Sequence, residues 1–379
     1  MAYLVLSNKM VFEGKRCGAP GDSVGELVFT TGMTGYIETL TDPSYAGQIV
    51  MQTFPLIGNY GIIEEDFEGV PLVKGYVVSE ACSFPSNFRS EYTLDEFLKK
   101  RGICALQGVD TREITRIIRE EGVMNAKICD EIPEDFSEIE NYAVKDVVKT
   151  ASRKEIKKFP ASVSSSASAS SSESASDSAS DSDGTRKKGY SVALIDYGAK
   201  KNIIRSLNER GCDVTVFPCS SSAEEILKTD PDGIMLSNGP GDPAENIYEI
   251  EQIKKLIGKK PIFGICLGHQ LSALAMGGKT AKLKYGHRGA NQPVRLSGSH
   301  KTYITSQNHG YAVLSESIEG KGKILFENAN DRSCEGIIYE KENCFTVQFH
   351  PEASAGPRDT SFLFDKFIDM MGGKSDAER

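Results

Sequence analysis

A cysteine set between glycines, Gly264-Ile265-Cys266-Leu267-Gly268, follows the apolar run Pro261-Ile262-Phe263 and is answered far downstream by His350-Pro351-Glu352. These residue types can supply a thiol nucleophile, its base, and a carboxylate to orient the base. A Gly-x-Cys-x-Gly segment between a buried strand and a helix is the thiol form of a nucleophile elbow, where small neighbours let the chain turn sharply and present one reactive side chain. The helix expected over Leu267 to Met276 starts at the sulfur, so its free N–H groups and positive dipole end would favour thiolate over thiol. His350 closes the alternating run Cys344-Phe345-Thr346-Val347-Gln348-Phe349, which puts it at a strand end, and Glu352 follows at a spacing that lets it accept from the imidazole. Oxyanion donors would be the backbone N–H of Leu267 and one from the loop Gly239-Pro240-Gly241, where absent side chains permit close approach. Each piece alone is weak, because buried cysteines beside glycines are mostly inert. In order, each at the end of an expected strand, they point to nucleophilic acyl transfer. His269, His287 and His309 read instead as structural histidines.

The elements that must hold these residues follow from the hydrophobic rhythm. Val192-Ala193-Leu194-Ile195, a helical stretch Asn202 to Arg210, Val214-Thr215-Val216 and Gly233-Ile234-Met235-Leu236 alternate as strand and helix, the pattern of βα units and a largely parallel sheet. Ligands in such sheets sit at the carboxyl ends of the strands. The loop Ser237-Asn238-Gly239-Pro240-Gly241-Asp242-Pro243 follows one strand and the cysteine elbow the next, so both would face one crevice. Upstream, strand-like Leu27-Val28-Phe29 and Ile49-Val50-Met51 alternate with Gly-rich turns, and helices are expected over Leu94 to Arg101 and Thr111 to Glu121 with Thr93 and Asp110 as N-caps. That half is a mixed α/β domain and contains no histidine. Between the halves, Ala161 to Gly184 is almost wholly Ser, Ala and acidic residues. It cannot bury enough surface to offset the entropy of ordering and reads as a disordered tether. The expected organisation is an N-terminal domain over 1–150, a linker over 151–189 and a C-terminal domain over 190–379.

Composition narrows the function classes. The 379 residues suffice for two ordinary domains, no apolar run is long enough to span a bilayer, and Met1 to Phe12 carries polar residues and no small-residue cleavage site, so secretion is not expected. Nine cysteines without a paired pattern fit free thiols in a reducing compartment, so a cytoplasmic location is expected. Neither they nor the five histidines fall at metal-ligand spacings, and no metal site is expected. A net charge of −9 offers no basic surface for nucleic acid. No phosphate-cradling Gly-rich loop of the P-loop or dinucleotide type appears.

With those loops placed, residues 190 to 372 resemble the class I, triad-type glutamine amidotransferases. The motifs are Leu236-Ser237-Asn238-Gly239-Pro240-Gly241-Asp242-Pro243, Phe263-Gly264-Ile265-Cys266-Leu267-Gly268-His269-Gln270 and Gln348-Phe349-His350-Pro351-Glu352. The first half, through Gly32-Met33-Thr34-Gly35-Tyr36 and its continuation to Tyr45, Pro55 to Gly61, and Gly108-Val109-Asp110-Thr111-Arg112, resembles the N-terminal domain of the carbamoyl-phosphate synthetase small chain. Segments Gly286 to Val294 and Thr305 to Val313 agree with that family. The resemblance implies an N-terminal small-chain domain joined to a class I amidotransferase domain. It also implies glutamine hydrolysis through a thioester on Cys266, with His350 and Glu352 completing the triad. Carried over residue by residue, the glutamine contacts are Ser44, Gly239, Gly241, Leu267, Gln270, Asn308, Gly310 and Tyr311. Ammonia would pass to a synthetase large chain, which would hold ATP, bicarbonate and magnesium, and this chain would carry no cofactor. The product would serve arginine or pyrimidine synthesis. The long Ser/Ala tether departs from the family's usual pattern. A different class I amidotransferase, and a scaffold that only binds the large chain, remain as alternatives.

Overall fold

Alternate residues along Gln48–Ile57 are buried in opposite directions: Ile49 and Met51 pack with Ile114, Ile117 and Ile118 of the helix Thr111–Glu121, while Val50 packs with Tyr36, Leu40 and Phe97. A strand covered on both faces reads as a continuous apolar run, as parallel strands under helices do. The computed structural model describes residues 1–161, 189–353 and 355–373, so the tether proper lies outside the described residues.

Strands β1 (Ala2–Leu6), β2 (Val11–Gly18), β3 (Ser23–Thr30), β4 (Gln48–Ile57), β5 (Gly75–Ala81), β6 (Cys104–Gln107) and β7 (Met124–Cys129) form a closed barrel in the order β1-β2-β6-β5-β4-β3-β7. Neighbours from β3 through β6 run parallel. Parallel neighbours need crossover connections, and helices Tyr36–Thr41 and Leu94–Lys100 lie in two of them. The expected caps are present. Thr93 Oγ1 accepts from the Glu96 N–H while the Glu96 carboxylate accepts from the Thr93 N–H, and Asp110 accepts from the Glu113 N–H at 2.9 Å.

The second sheet is built from β8 (Lys157–Phe159), β9 (Ser191–Asp196), β10 (Asp213–Pro218), β11 (Gly233–Leu236), β12 (Ile262–Ile265), β13 (Thr280–Leu296), β14 (Thr302–Val313), β15 (Lys323–Asn328), β16 (Cys334–Tyr339) and β17 (Cys344–Val347). Its order is β14-β13-β15-β16-β17-β12-β11-β9-β10-β8. The core from β17 to β10 is parallel, and an antiparallel ribbon from β16 to β14 extends one edge. Strand β8 lies within the span expected as linker and pairs antiparallel with β10. Phe263 on β12 stacks on Phe345 of β17 at 4.3 Å and meets Phe364 of the helix Phe362–Met371 edge-on at 5.6 Å. Burying each such ring stabilises the fold by about 1.5–3 kcal/mol.

The two units touch through polar contacts at the crevice end of the second sheet. Lys201 N–H donates to Glu68 O at 2.9 Å, Val123 N–H donates to Lys284 O at 2.8 Å, and Lys282 pairs with Glu26 at 2.5 Å. All nine cysteines are free. Among the described residues no helix is long and apolar enough to cross a membrane.

Candidate active site

Strands β11 and β12 are parallel neighbours, so the loop after β11 and the elbow after β12 emerge side by side. At the elbow Cys266 has φ 52° and ψ −100° and stands immediately before the helix Leu267–Ala275. A positive φ in a residue other than glycine is costly. The turn is held by packing that its glycines permit: a Cβ on Gly268 would lie 2.5 Å from Leu236 O, and one on Gly264 would lie 2.9 Å from Thr346 Cγ2. The Cys266 N–H donates to Val347 O at 2.8 Å, tying the elbow to the end of β17. Cys266 Sγ accepts from Gln348 Nε2 at 3.5 Å and lies 3.7 Å from Asn308 O.

His350 follows β17 and is buried, with its backbone N–H donating to Ser306 O. Its Nδ1 lies 2.6 Å from Glu352 Oε1, and among the described residues its Nε2 has no hydrogen-bond partner. Burial and Lys200 both disfavour the imidazolium, but Glu352 and Cys266 outweigh them and hold the His350 pKa above the ordinary imidazole range. Burial pushes the Glu352 carboxyl the other way, yet His350 and Lys200 keep it below the usual carboxylate range.

Ser44, Gly239, Gly241, Gln270, Asn308, Gly310 and Tyr311 line one cavity of about 660 Å³ together with Cys266. The Leu267 side chain is buried behind the loop, its Cδ2 placed 2.7 Å from where a Gly239 Cβ would be. Ser44 comes from the barrel half and accepts from Asn238 Nδ2 at 2.9 Å. Gln270 Nε2 donates to Tyr311 O at 2.8 Å and to Gln348 Oε1 at 2.9 Å, which fixes its amide against the wall.

Sequence reasoning did not single out Lys200, Asp42 or Gln348 as site residues. Lys200 is buried beside the triad, its Nζ 3.3 Å from His350 Nδ1, 3.4 Å from Glu352 Oε1 and 3.5 Å from Asp42 Oδ2. Burial opposes its charge, but Asp42 and Glu352 raise its pKa above the ordinary lysine value, so it is a cation. Asp42 reaches over from the barrel, caps the short turn Pro43–Tyr45 by accepting from the Ser44 N–H, and accepts from Asn308 Nδ2 at 3.1 Å. The available signal was position: Lys200 stands just beyond the carboxyl end of β9, where a sheet of this type gathers its ligands.

The other histidines sit in hydrogen-bonded surroundings. His269 is buried against Thr346 Oγ1 at 2.8 Å, and burial lowers its pKa to about 3. His287, His309 and Glu335 bring possible ligand atoms within 4.8 Å of one another. Most of those atoms are already engaged: His309 with Tyr311 O and Gln307, Glu335 with Gln307 and Asn328, and His287 Nε2 with Asp331, while His287 Nδ1 lies 3.5 Å from Glu335 Oε1 without a hydrogen bond among the described residues. The cluster is a polar core under the β13–β14 ribbon.

Two family models match the sequence: "Carbamoyl-phosphate synthase small chain, CPSase domain" over residues 4–128 and "Glutamine amidotransferase class-I" over residues 193–370. A carbamoyl phosphate synthase small chain from Bacillus cereus is 47% identical over 373 residues, covering 97% of this chain and 95% of its own. Its counterpart from Listeria monocytogenes is 47% identical over 377 residues, covering 99% and 98%. Among solved structures, a putative GMP synthase protein from Thermoplasma acidophilum is 23% identical with a TM-score of 0.44, covering 50% of this chain and 96% of its own.

Proposed function

This chain belongs to the carbamoyl phosphate synthase small-chain family and is a glutamine amidotransferase, and from that premise we propose that it hydrolyses L-glutamine through a thioester on Cys266. The Cys266 thiolate attacks the side-chain amide carbon of glutamine, and the developing oxyanion is met by backbone N–H groups of Leu267 and the Gly239 to Gly241 loop. His350 delivers a proton to the departing nitrogen, the C–N bond breaks, and ammonia leaves. Water, deprotonated by His350, then attacks the thioester carbonyl, and glutamate departs as the C–S bond breaks and the thiol regains its proton. Glu352 orients the imidazole and stabilises its charged form. Ser44, Gln270, Asn308, Gly310 and Tyr311 hold the substrate.

The observation that carries this reading is the cavity in which Cys266 shares walls with those residues, backed by the 2.6 Å contact between His350 and Glu352. Ammonia in neutral water is mostly protonated and loses its nucleophilic lone pair. Delivery to a partner without passing through bulk water preserves its reactivity, which supports a one-to-one pairing with a synthetase large chain. There ATP, bicarbonate and magnesium would be used to make carbamoyl phosphate for arginine or pyrimidine synthesis. Glutamine hydrolysis by the full chain, measured alone and then with a large chain, bicarbonate and ATP, tests the proposal. Weak activity that rises strongly with the partner and yields carbamoyl phosphate is expected. Strong activity indifferent to the partner would favour a free-standing hydrolase, and no hydrolysis in either setting would favour a scaffold.

A further inference from the structure

The glycine loop after β11 is held in place by packing alone. Among the described residues no hydrogen bond runs to or from the backbone of residues 239–241, although the strand before them and the turn Pro243–Glu245 after them are both hydrogen-bonded. The N–H groups of Gly239 and Gly241 are therefore unused donors, and contact is what fixes their direction. Tyr197 and Gly198 press on the start of the loop: a Cβ on Gly239 would lie 2.5 Å from Tyr197 O, and Pro240 Cδ lies 3.2 Å from where a Gly198 Cβ would be. Val147 presses on its end. Gly241 turns the chain at φ 89°, in the left-handed region, and a Cβ there would lie 2.7 Å from Val147 Cγ2, with no other atom printed within 4 Å. Beside that contact is a cavity of about 120 Å³ lined by Val147, Val148, Pro240 and Gly241. Without the valine side chain the loop has room to shift.

Val147 opens the short helix Val147–Ala151, which Asp146 starts at φ 51°. The segment around it is tied down at both ends. Upstream, Tyr142 Oη donates to Gly47 O of the barrel half at 2.7 Å, and Tyr142 O accepts from Asn125 Nδ2 at 2.9 Å. Downstream, Val148 is buried in the core that holds Tyr197, Leu236 and Leu267. Ser152 Oγ accepts from the Cys219 N–H, and Asp196 accepts from the Arg153 N–H, each at 3.0 Å. Residues 142–153 thus cross from the barrel to the sheet as a strap that lies against the glycine loop.

We propose that Val147 is a positioning residue: it braces Gly241 and so holds the loop's N–H groups where the oxyanion of the tetrahedral intermediate forms. The assignment rests on the reading of Cys266 as the nucleophile of a glutaminase. Donors stabilise a developing charge most when their direction is fixed beforehand, and a loop with no hydrogen bonds of its own owes that fixity to its neighbours. The brace acts on the transition state rather than on bound glutamine, so its loss belongs in kcat.

The test uses the full chain with its large chain, as wild type, V147G, V147A and V147I. Each is read for glutamine kcat and KM, and for inhibition by the γ-aldehyde analogue of L-glutamine, whose carbonyl adds the thiolate and places an oxyanion in the same hole. Removing an oxyanion donor outright costs about 100–1000-fold in kcat. V147G, which only loosens one, is expected to lower kcat about 20-fold with KM changed less than about threefold, and to raise the aldehyde Ki by the same factor as kcat falls. V147I, which keeps a branched apolar side chain, is expected to restore both. A smaller folded fraction would lower kcat and leave Ki unchanged, so a fall in kcat that Ki does not follow would overturn the assignment. A loss carried by KM, or unchanged kinetics, would overturn it as well, and each of these results leaves the glutaminase reading intact. Should V147G fail to fold, V147A is expected to shift kcat and Ki together by about fourfold, and the absence of that parallel shift would overturn the assignment. No hydrolysis by wild type would instead remove the glutaminase reading, and the role of Val147 with it.

Discussion

The barrel half and the sheet half are both built around parallel strands covered on two faces, yet they use the ends of those strands differently. In the barrel, β7 returns to pair with β1, so no strand edge is left in the ring. Burial is the main cause that pushes the barrel's Cys17 up to about 12 and Cys129 up to about 11, as it pushes Cys212 and Cys334 of the sheet half up to about 12. The sheet half stays open, and the carboxyl ends of β11 and β12 release the glycine loop and the elbow into one crevice. The thiol there, Cys266, lines a cavity. The lesson is a division of labour. The open sheet supplies the reacting groups, and the closed barrel supplies a fixed rim from which Asp42 and Ser44 reach across to hold Lys200, Asn308 and Asn238.

Changing the sheet half at the sulfur should have the largest effect. C266A is expected to lower glutamine-dependent synthesis at least about 1000-fold, while synthesis from added ammonia by the assembled complex continues. Retained glutaminase activity in C266A would place the reacting group elsewhere. On the barrel's side of the same comparison, D42N removes one partner of a buried ion pair and weakens the acceptor of Asn308. A loss of about 100-fold in glutamine kcat/KM is expected, about 2.7 kcal/mol of transition-state stabilisation. An unchanged rate would mean that the barrel only docks and contributes nothing to the site.

Much of this division is legible in the chain. The elbow can be read because close packing excludes side chains at Gly264 and Gly268, and the caps at Thr93 and Asp110 because capping chemistry is local. His350 and Glu352 are close in sequence, so their contact needs little tertiary information. Closure of the barrel is different: it depends on β7 finding β1 across more than the first hundred residues, and strand pairing at that separation leaves no local mark. Lys200 and Asp42 look like surface charges in sequence, because burial of an ion pair is a property of two segments meeting. Strand β8 is hidden for the same reason, being an edge strand in a Lys-rich segment.

A smaller effect separates the halves by pH. The barrel holds no histidine, so histidine-linked stability belongs to the sheet half. Burial opposes the charge on His287, but Asp331 and Glu335 raise its pKa to about 9. Its folded value lies above its unfolded one, so the stabilisation is complete below about pH 6.5 and is lost as pH rises through about 9. H287Q is expected to be less stable than wild type by about 2 kcal/mol at pH 6, with the difference shrinking from about pH 6.5 and gone above about pH 9 in denaturant titrations. A difference independent of pH would contradict the charged pairing. The smallest effect is expected from T93A in the barrel, which removes a capping box far from the crevice. It should cost about 1 kcal/mol of stability and leave glutamine kcat/KM unchanged; a changed kcat/KM would show that the barrel is not a passive rim.

The most direct test of the central claim is mass analysis of the full chain, quenched in acid during turnover of L-glutamine. A γ-glutamyl adduct on the peptide carrying Cys266, released by hydroxylamine and missing from C266A, is the result this account predicts. Glutamine turnover that leaves no adduct on Cys266, or an adduct on another residue, would contradict it.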